Sequence, residues 1–264
     1  LGETGTGKEL VARAIHFNSI RSEKPFLPVN CAALAETLLE SELFGYVKGA
    51  FTGATRDKQG VFEVAHGGTV FLDEIGDISP RLQQILLRVL ENGEIQPVGS
   101  TARRKVDVRV VAATNKELED MVKQGTFRAD LYYRLNVISL ELPPLRAKKE
   151  DIATLAGHFL RKYAAENGKT IHDISRDALR LLERYQWPGN VRELENVIER
   201  ATLLETSREI TPESLSENIR NAPQAPPVNP DEDLQTLEEV GRTYIQTVLE
   251  KTGGNKARAS EILG

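Results

Sequence analysis

From residue 1 to about 143 the chain alternates two kinds of apolar pattern. Short runs rich in β-branched and aromatic residues, Phe26–Asn30, Thr69–Leu72 and Val108–Ala113, end in polar residues and read as buried strands. Among them, Lys8–Asn18, Glu36–Leu43, Pro80–Glu91 and Phe127–Leu135 read as helices. This alternation predicts an α/β fold, a parallel sheet covered by helices. Pro143-Pro144 interrupts it. From Lys149 to about Leu204 the period is helical throughout. Ile152, Leu155, Phe159 and Leu160 share one stripe, and Leu179, Leu182 and Tyr185 another, which predicts a small all-helical second domain. The run APQAPPVNPDED is Pro-rich and poor in apolar residues, so it reads as a linker. A further helical piece follows. The predicted units are 1–143, 144–220, 221–233 and 234–264.

Composition narrows the class. A chain of 264 residues suffices for one large or two smaller cores. With 40% hydrophobic and 28% charged residues it reads as an ordinary globular protein. No apolar run approaches the roughly 20 residues of a membrane span, so no membrane partner is expected. Cys31 is the single cysteine, which rules out an intrachain disulfide and fits a reducing cytoplasm. The histidines, His16, His66, His158 and His172, lack ligand spacing, so no zinc site is expected. Net charge is −5, so nucleic-acid binding would need a local patch or a segment outside this chain.

GETGTGKE opens the chain with the GxxxxGK core of a phosphate-binding loop. Its glycines let successive backbone N–H groups point inward, Lys8 supplies a point charge, and the following helix offers its positive end. Glu9 stands where a Ser or Thr usually helps to hold Mg²⁺. The chain begins directly before this loop and ends just after a short helical pattern. It therefore reads as a fragment of a longer protein, without the strand that should feed the loop.

A second motif, GGTVFLDE, is an apolar strand ending in two carboxylates. Ligands of such sheets bind at the strands' C-terminal ends. Asp73 suits Mg²⁺ and Glu74 suits polarising an attacking water. The pair predicts hydrolysis of a nucleoside triphosphate rather than binding alone. Asn115, at the end of the third strand, is either a γ-phosphate contact or a turn asparagine. Arg128 and Arg134 in FRADLYYRLN are either phosphoryl-directed arginines or solvated helix residues. WPGNVRELENV predicts a helix capped by Asn190 with Glu193 at the capping-box position. Arg192 in its first turn opposes the helix dipole and so requires another partner, such as a phosphate.

GAFTGA, residues 49 to 54, sets Phe51 and Thr52 between glycines and alanines, with Lys48, Arg56 and Lys58 nearby. Glycines at 45, 49, 53 and 60 argue against a helix interior. Either this is a glycine-rich surface loop, or it is a mobile loop that presents Phe51 and Thr52 to a partner.

Together, GETGTGKE, GAFTGA, GGTVFLDEIGD, AATN, FRADLYYRLN, LPPLR and WPGNVRELENV resemble the AAA+ ATPase domain of bacterial sigma-54-dependent transcription activators. The match runs in order over about Leu1 to Asn221, GAFTGA is its most specific element, and GKE in place of GK[ST] is shared with it. The resemblance implies an AAA+ P-loop NTPase with a helical lid, binding ATP and Mg²⁺ and hydrolysing ATP. It assigns nucleotide contacts to Gly2, Glu3, Thr4, Gly5, Thr6, Gly7, Lys8 and Glu9, magnesium to Asp73, and hydrolysis to Glu74. Asn30 would restrain Glu74, Asn115 would sense the γ-phosphate, and Arg192 would be a second sensor on the lid. Arg128 and Arg134 would reach into a neighbouring subunit's site, which implies a hexameric ring. Gly49, Ala50, Phe51, Thr52, Gly53 and Ala54 would contact sigma-54 in the RNA polymerase holoenzyme, whose closed complex the ATPase remodels. Gln96–Lys105 is either a second pore loop or a basic hairpin turn. The tail TYIQTVLEKTGGNKARASEILG resembles the start of a helix-turn-helix DNA-binding domain, with Lys256 and Arg258 facing phosphate. Its recognition helix would follow Gly264, so enhancer DNA is a partner expected of the full-length protein. Some relatives of this type are two-component regulators. A cytoplasmic location follows from the same resemblance.

Overall fold

The computed structural model describes residues 1–221 and Ile245. The chain divides into two units, Leu1–Asn221 and Ala222–Gly264. The linker and the helix-turn-helix start, with Lys256 and Arg258, lie outside the described residues.

In the first unit, α1 (Lys8–Phe17), β1 (Phe26–Asn30) and α2 (Glu36–Phe44) lead to a two-residue ladder of β2 (Gly45–Tyr46) with β3 (Lys58–Gln59). The short α3 (Val61–Val64), β4 (Thr69–Asp73), α4 (Pro80–Asn92) and a hairpin of β5 (Glu94–Ile95) and β6 (Arg104–Lys105) come next. They are followed by β7 (Arg109–Ala112), α5 (Leu118–Lys123) and α6 (Ala129–Leu135). The strands β1, β4 and β7 form a parallel sheet in the order β1-β4-β7. Central β4 is buried from Thr69 to Leu72, which explains its unbroken apolar run. Leu39, Phe44, Phe62, Leu72, Leu82 and Leu131 fill the core beneath it. The outer edge of β7 borders a cavity of about 680 Å³ lined in part by Val11, Ala12, Phe71, Val111 and Ile138.

Local chemistry sets the helix ends. Ser79 accepts the Leu82 N–H, Pro80 opens α4, and Gly93 closes it in the left-handed conformation. The expected helix from Phe127 starts instead at Ala129, because Arg128 is extended and its N–H donates to Gln83 Oε1 at 2.9 Å.

A second apolar cluster belongs to α7 (Lys149–Glu166), α8 (Arg176–Arg184) and α9 (Asn190–Leu204), with α10 (Glu217–Arg220). Ile152, Phe159 and Leu160 of the predicted stripe are buried there, and Trp187 is fully buried. The segment is not helical throughout: β8 (Asp173–Ile174) and β9 (Glu209–Ile210) pair in parallel. Two residues are too few to register as a strand pattern. Among the described residues no helix is long and apolar enough to cross a membrane.

Candidate functional site

The chain turn from Gly2 to Gly7 lies across the C-terminal ends of the sheet. Gly2, Gly5 and Gly7 hold positive φ values of 150°, 82° and 89°. The Gly2 N–H donates to Thr114 O beyond β7 at 3.3 Å, which fixes the loop against the strand end. Thr6 Oγ1 donates to Glu3 O at 2.8 Å and tightens the turn. Lys8, the first residue of α1, folds its side chain back into the loop. Its Nζ donates to Gly2 O at 2.9 Å and lies 3.5 Å from Glu74 Oε1. Glu9 points the other way, pairing with Arg13 at 2.7 Å on the exposed side of α1.

Glu74 follows β4 directly, and its backbone sits at φ 53° and ψ 48°. A non-glycine residue there is uncommon and strained, by about 1–3 kcal/mol. Neighbouring strands hold it in place. The Cys31 N–H donates to Asp73 O and the Ile75 N–H to Ala113 O, both at 2.9 Å. Glu74 Oε2 accepts the Asn115 N–H at 3.2 Å, and Asn115 Nδ2 donates to Thr4 Oγ1 at 3.0 Å. Asn115 thus joins the loop to the carboxylate. Asn30 ends β1 in register with Asp73. Its Oδ1 accepts the Ala32 N–H at 2.9 Å, and it makes no hydrogen bond to Glu74.

Negative charge is in excess here. Burial pushes the Asp73 carboxyl above its ordinary value, and the Glu74 charge adds to this, against the pull of Lys8. Burial, then the Asp73 charge, pushes the Cys31 thiol up to about 12. Two carboxylates facing one lysine leave room for a divalent cation. Asp73 spends only Oδ1 on a backbone N–H, that of Glu74 at 3.1 Å. A Mg²⁺ that takes one carboxylate, waters and substrate phosphates fits this donor set.

The start of α9 packs against the same loop. The Val191 and Arg192 N–H groups donate to Gly5 O at 3.0 and 3.3 Å. A Cβ on Gly5 would lie 2.3 Å from Gly189 O, so only glycine permits this approach. Glu193 takes the predicted capping role, accepting the Gly189 N–H at 2.8 Å. Asn190 does not cap the helix. It is fully buried at φ 52°, where its side chain reaches Glu3, Thr4 and Leu145 instead. Periodicity could not foresee this, because those partners are more than 40 residues away. The Arg192 side chain is exposed and has no ion-pair partner among the described residues.

Arg128, just before α6, and Arg134, within it, are both exposed and satisfied within the chain. Arg128 pairs with Asp130 at 2.6 Å, and Arg134 donates to Leu90 O at 2.9 Å. GAFTGA forms a closed loop beyond the β2/β3 ladder. The Gly49 N–H donates to Ala54 O at 2.9 Å, Ala54 is buried, and Phe51 and Thr52 are exposed at the tip. Open space surrounds Gly49 and Gly53, so their positive φ of 84° and 100°, not crowding, favours glycine. The Phe51 ring meets Tyr46 edge-on at 4.9 Å. Residues 96–105 include the β5/β6 turn, which also braces this loop: the Val47 N–H donates to Val98 O at 3.1 Å, and Gly99 abuts Ala50.

Comparison with known proteins agrees with this geometry. Residues 1–141 match the Sigma-54 interaction domain, 146–231 the AAA+ ATPase lid domain, and 236–264 the Fis family of bacterial regulatory proteins. The chain is 54% identical over 263 residues to the transcriptional regulatory protein ZraR of Escherichia coli (strain K12), covering all of this chain and 59% of that protein. It is 52% identical over 269 residues to the regulatory protein AtoC of the same strain, covering all of this chain and 58% of AtoC. A crystal structure of NtrX from Brucella abortus in complex with ADP superposes with a TM-score of 0.77 at 37% identity, over all of this chain and 60% of that one. The chain thus spans about three-fifths of the length of these relatives. With a phosphate loop, a GAFTGA loop, a strand-end Asp-Glu pair and a docked lid in that order, the chain belongs to the sigma-54 interaction domain family of AAA+ proteins.

Proposed function

We propose that this protein is an ATP-hydrolysing transcription activator that remodels the sigma-54 RNA polymerase closed complex through its GAFTGA loop. The observation that carries the hydrolytic part is the meeting of Lys8, Glu74 and Asn115 at one end of the sheet. The backbone N–H groups of residues 2–8 receive the phosphates, and Lys8 turns from Glu74 to the β/γ-phosphates. Mg²⁺ held by Asp73 would neutralise charge on the phosphate oxygens. Glu74, released from Lys8, polarises the attacking water as general base. Asn115 orients Glu74 and reads the γ-phosphate region. Asn30, one strand away, turns from its own backbone to restrain Glu74.

Arg128 and Arg134 act on a neighbouring subunit's nucleotide, within a hexameric ring. Their intrachain partners then hold them ready between contacts. The GAFTGA loop lies in the chain between β1, which ends at Asn30, and β4, which ends at the carboxylates. Stacking of Phe44 on Phe62, with centroids 5.6 Å apart, ties its two arms together. Changes at Asn30 and Glu74 therefore reach Phe51 and Thr52 by a short, packed path. In the whole protein the Fis-type segment, with Lys256 and Arg258, contributes to enhancer binding in the cytoplasm. Units at 1–143, 144–220, 221–233 and 234–264 serve these roles.

The test is ATP turnover together with open-complex formation on a sigma-54 promoter. The protein should support both, and Lys8→Ala should abolish both. Turnover unaffected by Lys8→Ala would overturn the reading.

A further inference from the structure

Glu3 places a negative charge inside a loop that, in the proposed function, must receive a triphosphate. Such a charge opposes binding unless something neutralises it. In the structure two side chains from beyond the sheet face it. Arg146 pairs with both Glu3 oxygens, and Asn190 Nδ2 donates to Oε2 at 3.1 Å. This pairing holds the Glu3 carboxyl down to about 2.

Asn190 is the hub of the arrangement. Its Nδ2 also donates to Thr4 O at 3.0 Å, and its Oδ1 accepts the Leu145 N–H at 2.8 Å. All the polar groups of this buried side chain are engaged. The next two N–H groups of α9 donate to Gly5 O. A helix's first N–H groups ordinarily need a cap or water. Here they are spent on the phosphate loop, and they belong to Val191 and Arg192. A Cβ on Gly5 would lie 3.2 Å from the Arg192 Cβ, so the Arg192 side chain leaves its backbone directly beside the loop.

We infer that the Glu3–Arg146 ion pair, anchored by Asn190, is a latch between the phosphate loop and the lid that positions Arg192 for the terminal phosphate. This rests on the nucleotide reading above and adds Glu3, Arg146 and Asn190 as positioning residues. Both partners of the pair are about two-fifths exposed, at 40% and 43%. A pair of that kind is weak enough to open and is screened by salt. Its bidentate geometry still fixes direction. Lid motion that carries Arg192 away from the loop must break it.

The test titrates the 264-residue chain with a non-hydrolysable ATP analogue and with ADP. Glu3→Gln should weaken the triphosphate about tenfold and the diphosphate less than about twofold. Combined with Arg192→Ala it should weaken the triphosphate no further than Arg192→Ala alone. Arg146→Lys keeps the charge without the fork, and should show the same selectivity at about threefold; it decides the matter if Glu3→Gln does not fold. Equal losses for both nucleotides, or additive losses with Arg192→Ala, would mean that Glu3 is merely structural and would overturn the latch. Lys8→Ala separates the two ideas. If it leaves both affinities unchanged, the nucleotide reading fails. If it abolishes binding while Glu3→Gln changes nothing, only the latch fails.

Discussion

Lys8 Nζ sits 3.5 Å from Glu74 Oε1, and their side chains are only 8% and 15% exposed. Under the proposed function, the cation that would meet phosphate and the carboxylate that would meet water neutralise each other until nucleotide separates them. Glu74→Gln should free Lys8 and remove a negative charge near the phosphates. ATP affinity should hold or rise severalfold, while turnover falls by about 10² to 10⁴. Stopped-flow binding and steady-state phosphate release measure the two effects, and loss of both together would argue against the arrangement.

Thr52 is exposed at the tip of GAFTGA, and its hydroxyl makes no hydrogen bond among the described residues. Thr52→Ala should therefore leave the melting temperature and ATP turnover within about twofold. Open-complex formation with sigma-54 polymerase should be lost. Remodelling that survives the substitution would assign the loop to another partner.

Gly5 stands at φ 82° with Gly189 O against it. Alanine there meets a left-handed penalty of about 1–2 kcal/mol as well as the clash. Gly5→Ala should lower the melting temperature by several degrees and weaken ATP binding. An unchanged melting curve would show that the lid does not dock on the loop in solution.

Glu205 ends α9 and is 8% exposed. Burial acts to raise its pKa. The N–H groups of Ser207, Thr211 and Thr206 and the Ser214 hydroxyl outweigh that effect and hold it near 2. A carboxyl depressed in the folded state stabilises above its unfolded value of about 4.5, and that stability drains away as pH falls towards 2. Glu205→Gln should lower stability at neutral pH by about 1–3 kcal/mol and flatten its dependence between pH 4.5 and 2. Thermal melts across that range read both effects.

The chain itself determined the elements and the candidate chemistry. Each of the strands ending at Asn30, Asp73 and Ala112 announced itself by a short apolar run with a polar stop, and GETGTGKE and GGTVFLDE name their residues locally. Ser79, Pro80 and Gly93 bound their helix through backbone preferences that act over a few residues. Tertiary structure decided the partnerships. Asn190 reads as a helix cap, yet it clamps residues more than 40 and more than 180 positions away. Arg146 stands in LPPLR with no role legible from its neighbours, yet it pairs with Glu3. Lys8 reads as a phosphate ligand, yet it rests on Glu74. Periodicity and capping report where a side chain faces along its own element. Which distant group meets it depends on how the sheet, the phosphate loop and the lid are brought together, and only the folded chain fixes that.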